Sequence, residues 1–256
     1  MTEAKARPHR LVDDLKVAVL FSTRLPLVHA TQVEGGDITR ASWAMPVAGA
    51  VVGGLGAAVY WFIYALGFEP LICATLAIAA TLGVTGALHE DGLADTADGF
   101  GGGATPERKL EIMRDSRIGT YGACALVLSI LLRVASLAAL AEPAVVAPAL
   151  IAAHVAARAT LPIFMRLTPS ARADGLSAGA GRPPLANAII AGLIGAGTLA
   201  LALSVTGAAI SVVVLVAALT CMVLLSMRQI GGQTGDVVGA LEQVGEPLVL
   251  LVATVV

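Results

Sequence analysis

One highly charged segment, GALHEDGLADTADGFGGGATPERKLEIMRDSRIGTYG (Gly86–Gly122), interrupts an otherwise apolar chain. Seven acidic and four basic side chains lie within Glu90–Arg117, although only 13% of the whole chain is charged. An apolar segment ends just before them, at Leu88, and another begins near Tyr121. Ionisable groups beside membrane segments are costly and therefore usually functional. We expect this cluster to bind a divalent metal and a diphosphate.

The acidic residues of this stretch have a helical spacing. Asp91, Asp95 and Asp98 stand at positions i, i+4 and i+7, which places them on one face of a helix. Three like charges on one face repel, and a hard cation such as Mg²⁺ relieves the repulsion by binding carboxylate oxygens. Gly99 and Gly101–Gly103 are expected to break the helix and to turn backbone N–H groups toward an anion. A solvated acidic face is the alternative interpretation.

The residues that follow have the pattern of a short amphipathic helix. Thr105 suits its N-cap and Pro106 suits its first position. Arg114, Asp115 and Arg117 come at its end, and a guanidinium fork matches phosphate oxygens. We predict that these three residues bind the substrate. The alternative is a surface helix lying on lipid headgroups.

The composition of the chain excludes a soluble domain. Its 256 residues are 57% hydrophobic, and the mean hydropathy is +0.86, far above that of soluble proteins. Abundant Ala and Gly suit close helix packing in lipid. The net charge of −2 gives no indication of nucleic-acid binding. The three cysteines are isolated, which favours buried thiols over a disulfide or metal framework.

Hydrophobic segments of membrane-spanning length recur from Trp43 onward. We predict an all-α, polytopic integral membrane bundle of about seven transmembrane helices plus interfacial helices, forming one catalytic domain over residues 1–256. About 20 apolar residues are needed to cross the hydrocarbon. The predicted spans are 43–66, 70–88, 120–140, 144–166, 185–204, 207–227 and 237–256.

Basic residues are confined almost entirely to one set of connections. These are the polar N-terminal segment 1–42, the 89–119 loop and helix, the Arg166–Arg182 loop, and Arg228. By the positive-inside rule they lie in the cytoplasm. We therefore predict a multi-pass protein of the cytoplasmic (inner) membrane, whose active site faces the cytoplasm and gathers all the charged motifs.

The N-terminal segment is predicted to lie at the membrane surface. An interfacial helix is expected near Leu11–Arg24, because the apolar run there is too short to span a membrane. Thr31–Arg40 is predicted to be a polar loop, with structural roles for Asp37 and Arg40. Arg24 itself either contacts headgroups or binds the substrate.

Further candidates lie in the later cytoplasmic connections. Arg172 and Asp174 belong to a loop that is either a lid over a large substrate or a flexible basic tether. Gln233, Thr234 and Asp236 occupy a Gly-rich turn at the start of the last span. Asp236 is predicted to bind metal or substrate, and an N-cap role for the same residue is compatible with this.

Ionisable residues also occur inside the predicted spans. His154 and Arg158 share a helix face and either orient an anionic part of the substrate or form a polar stripe. Glu242 and Glu246 must face protein or a wet cavity. His89 is the first candidate for a general base because its ordinary pKa is near 6.5. Glu90 or a spare aspartate is its rival.

The charged motifs resemble those of a known family. HEDGLADTADGFGGG followed by ERKLEIMRDSRIGTYG is similar to the signature of the cobalamin 5′-phosphate synthases, or adenosylcobinamide-GDP ribazoletransferases. FSTRLP (Phe21–Pro26), RADGLS (Arg172–Ser177) and GGQTGDVVGA (Gly231–Ala240) agree with it. The resemblance implies an Mg²⁺-dependent enzyme that joins adenosylcobinamide-GDP to α-ribazole or α-ribazole 5′-phosphate and releases GMP.

Two other functions remain open. A looser similarity to CDP-alcohol phosphotransferases implies a phospholipid synthase, although the DGxxAR run of that family is absent. A divalent-cation transporter would use the aspartates as a coordinating ring, but an Arg-rich helix next to them disfavours a cation path. Small-residue runs such as Gly49–Gly56 would permit close helix pairing in a homo-oligomer.

Overall fold

Helices form most of the described protein, which confirms the all-α class. The computed structural model describes residues 11–26, 34–173 and 179–256. In chain order the helices are α1 Leu11–Ser22, α2 Gly35–Ala41, α3 Met45–Ala65, α4 Pro70–Thr85, α5 Leu88–Gly102, α6 Pro106–Ile112, α7 Thr120–Leu140, α8 Pro143–Leu167, α9 Leu185–Ala202, α10 Val205–Ile230 and α11 Gly235–Ala253. A 3₁₀ turn, Ser42–Ala44, joins α2 to α3.

The chain is a multi-pass membrane protein, but the predicted number of seven spans is not confirmed. Within the described residues, α2–α3 together and α7, α8, α9 and α10 are long and apolar enough to cross a membrane. Helices α4 and α5 meet that condition only as a pair and are bent by 89°, so the described residues contain five candidate spans, or six if this pair counts as one. Helix α11, predicted as the seventh, carries three acidic residues and packs inside the bundle against α5, α7, α8 and α10.

The N-terminal region is more helical than predicted. The expected helix near Leu11–Arg24 is present as α1. The loop predicted over Thr31–Arg40 is wrong from Gly35 onward, where α2 begins, and residues 31–33 lie outside the described part. Arg40 pairs with Asp14 and Asp37 at 2.7 and 2.6 Å. The pair with Asp14 fastens α2 to α1 and the pair with Asp37 lies within α2, which agrees with the structural roles predicted for Asp37 and Arg40.

The small residues of α3 serve packing within the chain. A Cβ on Gly49 would lie 2.4 Å from the carbonyl oxygen of His154, and one on Gly53 would lie 2.8 Å from Ile151 Cα. Backbone contacts this close require glycine. The run Gly49–Gly56 therefore brings α3 against α8, and the pairing of helices between two copies of the chain, which the same run would permit, is not tested.

A sharp turn between α4 and α5 sets the direction of the acidic helix. Gly86 and Ala87 both have left-handed backbone angles, with φ of 65° and 57°. The side chain of Arg24 lies directly against Gly86, and the Arg24 N–H donates to the Val84 carbonyl at 2.7 Å. The predicted helix break at the glycine cluster is wrong for Gly99–Gly102, because α5 continues to Gly102.

Replacing Gly86 by Ala is expected to destabilise the protein by more than about 1–2 kcal/mol, the cost of a left-handed L-residue. The new Cβ would also overlap the guanidinium of Arg24. Thermal unfolding in detergent measures the effect. Gly83→Ala, at a helical position with open space around it, is the matched control and should leave the melting temperature unchanged or raised. Equal melting temperatures for the two variants would contradict the steric role of this turn.

Candidate active site

Four aspartates converge where α5 meets the start of α11. We call Asp91, Asp95, Asp98 and Asp236 the acidic cluster. Asp95 is half-buried at its centre, and the charges of the other three act on its carboxylate. A Cβ on Gly92 would lie 2.7 Å from the Asp236 carbonyl oxygen, so this glycine permits the close approach of the two helices. The predicted placement of the first three aspartates on one helix is confirmed.

Asp98 also has a structural role at the start of α7. The Gly119 N–H donates to Asp98 Oδ2 at 2.7 Å, and the Gly122 N–H donates to Oδ1 at 2.9 Å. These are N–H groups of the first turn of α7, which have no partner within the helix. Asp98 therefore joins α5 to α7. Because both of its carboxylate oxygens already accept hydrogen bonds, it is less free to bind a metal ion than the other three aspartates.

The turn before α11 fixes Asp236. Thr234 is the N-cap of α11, since its Oγ1 accepts from the Val237 N–H at 3.4 Å and donates to Asp236 Oδ2 at 3.1 Å. The N-cap role that we considered for Asp236 is thus wrong. Burial raises the pKa of the Asp236 carboxyl, and Arg172, 3.5 Å away, only partly offsets this.

Helix α6, the connection after α8 and the turn before α11 meet beside Asp236. The Ala171 N–H donates to the Gln233 carbonyl and the Gln233 N–H to the Pro169 carbonyl, both at 2.8 Å. Arg172 Nη2 donates to the Leu110 carbonyl of α6 at 3.0 Å. The predicted gathering of the charged connections is therefore observed. Gln233 itself is buried and holds the turn, while Asp174 lies outside the described residues.

The connection after α6, which ends at Ile112, presents the other predicted phosphate-binding residues at the surface. Thr105 is the N-cap of α6, as predicted. Arg117 forms a two-point pair with Asp115, with Nη2 2.6 Å from Oδ2 and Nε 3.0 Å from Oδ1. Hydrogen bonds from the Arg117 side chain and backbone lower the pKa of Asp115 to about 2. Arg114 is exposed beside them.

A second charged group lies inside the bundle, and we call it the buried ion network. Each member is at most 6% exposed. The members are His89 and Glu90 of α5, Arg133 of α7, His154 and Arg158 of α8, and Glu242 and Glu246 of α11. Arg133 Nη1 lies 3.0 Å from Glu90 Oε1 and 3.4 Å from Glu246 Oε1. Four helices are thereby joined through charged side chains.

Arg158 is the other cation of the buried ion network. Its Nη1 lies 2.5 Å from Glu242 Oε1 and 3.0 Å from His154 Nδ1. Ligand atoms of His154, Glu242 and Glu246 lie within 4.8 Å of one another, which is metal-site spacing. The guanidinium of Arg158 contacts two of these three side chains, Glu242 and His154, so the protein itself supplies a cation beside them.

His89 and Glu90 belong to this network. His89 Nδ1 lies 3.3 Å from Arg158 Nη2 and 3.5 Å from Glu242 Oε2. Because a guanidinium only donates, the shorter contact makes Nδ1 the acceptor and leaves the ring proton on Nε2. That arrangement favours a hydrogen-bond donor over the general base that we predicted. Glu90 is paired with Arg133.

A cavity of about 240 Å³ adjoins the acidic cluster. Its polar wall contains His89, Asp91, Arg158 and Asp236, while its other walls are mostly apolar. The cavity therefore connects the acidic cluster to the edge of the buried ion network. A reacting group bound here would be within reach of carboxylates from both α5 and α11.

Comparison with known proteins identifies the family. A family model described as cobalamin-5-phosphate synthase matches residues 14–254. The chain belongs to this family. An adenosylcobinamide-GDP ribazoletransferase of Bradyrhizobium diazoefficiens is 55% identical over 243 residues, which cover 95% of this chain and 94% of the relative. That of Mesorhizobium japonicum is 49% identical over 97% and 95% of the two chains. No solved structure matches.

Membership in the cobalamin-5-phosphate synthase family confirms the resemblance and makes the chain a transferase. The motifs that carried the resemblance are far apart in sequence but meet in space: Phe21 and Asp91 line one cavity, and Arg172 pairs with Asp236. Sequence reasoning missed Arg133. The position of Arg133 inside an apolar segment could have identified it, because a charged residue within a span has a buried partner as a rule.

Proposed function

We propose that this cobalamin-5-phosphate synthase family member transfers a corrinoid phosphate from adenosylcobinamide-GDP to α-ribazole or α-ribazole 5′-phosphate. A ribose hydroxyl oxygen bonds to the phosphorus on the cobinamide side, the bridging P–O bond breaks, and GMP leaves with the electron pair. The observation that carries this proposal is the convergence of four carboxylates beside a cavity, with Arg172 next to them. The printed names of the relatives point to the same reaction.

The acidic cluster fits a magnesium ion. Its donors are carboxylate oxygens, which Mg²⁺ prefers together with substrate phosphates. Asp95 is half-buried among three other acids, an arrangement that is unfavourable without a cation. Asp91, Asp95 and Asp236 would hold the ion, with Asp98 at the edge because its oxygens already accept from α7. When bound, Mg²⁺ would neutralise the charge of the diphosphate.

The protein's own residues supply positioning and proton transfer. Arg172 lies between Asp236 and α6 and would bind phosphate oxygens, as would Arg114 and Arg117 from the exposed connection that follows α6. A carboxylate of the acidic cluster would take the hydroxyl proton, and His89 would donate a hydrogen bond into the cavity. Phosphoryl transfer depends largely on such positioning and electrostatics.

We further propose that the protein lies in the cytoplasmic membrane with this site on the cytoplasmic side. The connections near the acidic cluster are basic, whereas the opposite connections Gly67–Glu69 and Ala141–Pro143 contain no Lys or Arg. Tyr60 donates to the Ala141 carbonyl at 2.7 Å, so these two connections without basic residues lie at the same end of the bundle. The charge asymmetry follows the positive-inside rule.

Release of GMP tests the proposed function. Purified protein in detergent should release GMP from adenosylcobinamide-GDP only when Mg²⁺ and α-ribazole or its 5′-phosphate are both present, and EDTA should stop the release. Release of CMP from a CDP-lipid, or Mg²⁺ flux into liposomes without GMP formation, would contradict it.

Arg117→Lys is expected to raise the KM for adenosylcobinamide-GDP about tenfold, because lysine lacks the two-point geometry that suits a phosphate. Steady-state kinetics with that substrate varied measure the change. Arg108→Lys makes the same substitution within α6, before the connection that holds Arg117. Arg108 pairs there with Glu111, and this variant should leave the KM unchanged. If Arg117→Lys behaves like the control, Arg117 does not bind phosphate.

A further inference from the structure

The cavity beside the acidic cluster is lined by two chemically different groups of side chains. The polar group, which we call the polar end, consists of Asp91, Asp236, His89 and Arg158. The apolar group includes Phe21, Ile38, Met45, Leu161, Met165 and Val238; because these six side chains also pack together in one hydrophobic cluster, we call their part of the lining the apolar end. All six apolar side chains are buried or half-buried, and they come from α1, α2, α3, α8 and α11.

The size of the cavity limits what this apolar end can hold. An engineered apolar cavity of about 150 Å³ binds one benzene ring, and pockets for drug-sized ligands measure about 300–1,000 Å³. At about 240 Å³, the cavity has room for a two-ring aromatic group. A corrin macrocycle does not fit.

The chemistry of the walls selects between the two aromatic bases of the proposed reaction. Guanine carries donors and acceptors around its edge, and each one buried without a partner is unfavourable by about 1–3 kcal/mol. The apolar end offers few polar partners. The base of α-ribazole is a dimethylbenzimidazole, whose outer edge carries methyl groups. Met45 and Met165 suit it further, because thioethers adapt in shape and make favourable contacts with aromatic rings.

We propose that the apolar end of this cavity is the binding site for the benzimidazole ring of the ribazole substrate. The ribose then lies at the polar end, where Asp91 and Asp236 are within reach of its hydroxyl groups. The corrinoid and its diphosphate approach from outside, across the acidic cluster. This inference rests on the proposed function and adds the location of the nucleophile.

Met165→Gln tests the proposal, because glutamine has nearly the shape of methionine and places an amide at the apolar end. The KM for α-ribazole is expected to rise at least tenfold, while the KM for adenosylcobinamide-GDP stays within twofold. Met45→Gln, on another wall of the cavity, should act in the same way. Met222→Gln is the matched control, since Met222 is buried in the same apolar core but does not line the cavity.

Equilibrium binding separates this proposal from the proposed function. The fluorescence of the benzimidazole reports α-ribazole binding to purified protein without any turnover. The dissociation constant should rise at least tenfold in Met165→Gln and Met45→Gln and remain unchanged in Met222→Gln. Unchanged α-ribazole binding in both cavity variants, or a rise in the KM for the corrinoid alone, would overturn the proposal. If the wild type binds α-ribazole with these variant effects but releases no GMP, the proposed transfer reaction is wrong, whereas the proposed benzimidazole site is supported.

Discussion

Asp91→Asn is expected to lower turnover at least a hundredfold while the protein still folds. Asp91 is an exposed member of the acidic cluster and lines the cavity. The amide that replaces its carboxylate has the same shape but no charge, so it would bind Mg²⁺ weakly. Stabilisation by a bound metal contributes several kcal/mol to transition states of this type, and each 1.4 kcal/mol is about tenfold in rate.

GMP release at saturating substrate measures this effect, and the melting temperature shows that folding is retained. Asp13→Asn is the matched control: it makes the same substitution on α1, outside the acidic cluster, and should keep full activity. Half-normal or better turnover by Asp91→Asn at ordinary Mg²⁺ concentrations would remove Asp91 from the metal site.

Arg133→Met is expected to destabilise the fold by about 3–5 kcal/mol, the usual result of removing one partner of a buried ion pair. Arg133 is fully buried, and it is the cation for both Glu90 and Glu246. Methionine would fill most of the space but leave two carboxylates without a counter-ion. Since Glu90 precedes Asp91, the acidic cluster should also be displaced.

Thermal unfolding in detergent measures the loss of stability. Arg108→Met is the control, because Arg108 forms an exposed pair with Glu111 on α6, and such pairs contribute only about 0–1 kcal/mol. Adding Glu246→Gln to Arg133→Met should restore part of the stability, because it removes one unpaired charge. Equal melting temperatures for Arg133→Met and Arg108→Met would mean that the buried ion network does not hold α5 in place.

Local sequence signals were enough to predict much of the fold. Apolar segment length gave the approximate bounds of α3, α7, α8, α9 and α10, because each has to cross the hydrocarbon. Thr105 and Pro106 marked the start of α6 correctly. The spacing of Asp91, Asp95 and Asp98 correctly indicated one helix. Each of these inferences depends only on residues within a few turns of one another.

Contacts between distant segments could not be predicted in this way. The turn at Gly86 depends on Arg24, which lies about 60 residues earlier and excludes any side chain there. Helix α11 has the length of a span, but two of its three acids, Glu242 and Glu246, belong to the buried ion network. The pairing of Arg133 with Glu90 joins α7 to α5, and no local pattern specifies which acid a buried arginine will meet.

Anomalous scattering from Mn²⁺ bound in place of Mg²⁺, in crystals grown with adenosylcobinamide-GDP, is the sharpest test for a metal ion at the acidic cluster. We expect an ion at about 2.1 Å from carboxylate oxygens of Asp91, Asp95 or Asp236, and in contact with the diphosphate. An ion bound instead between His154, Glu242 and Glu246, or a diphosphate bound away from the acidic cluster, would contradict it.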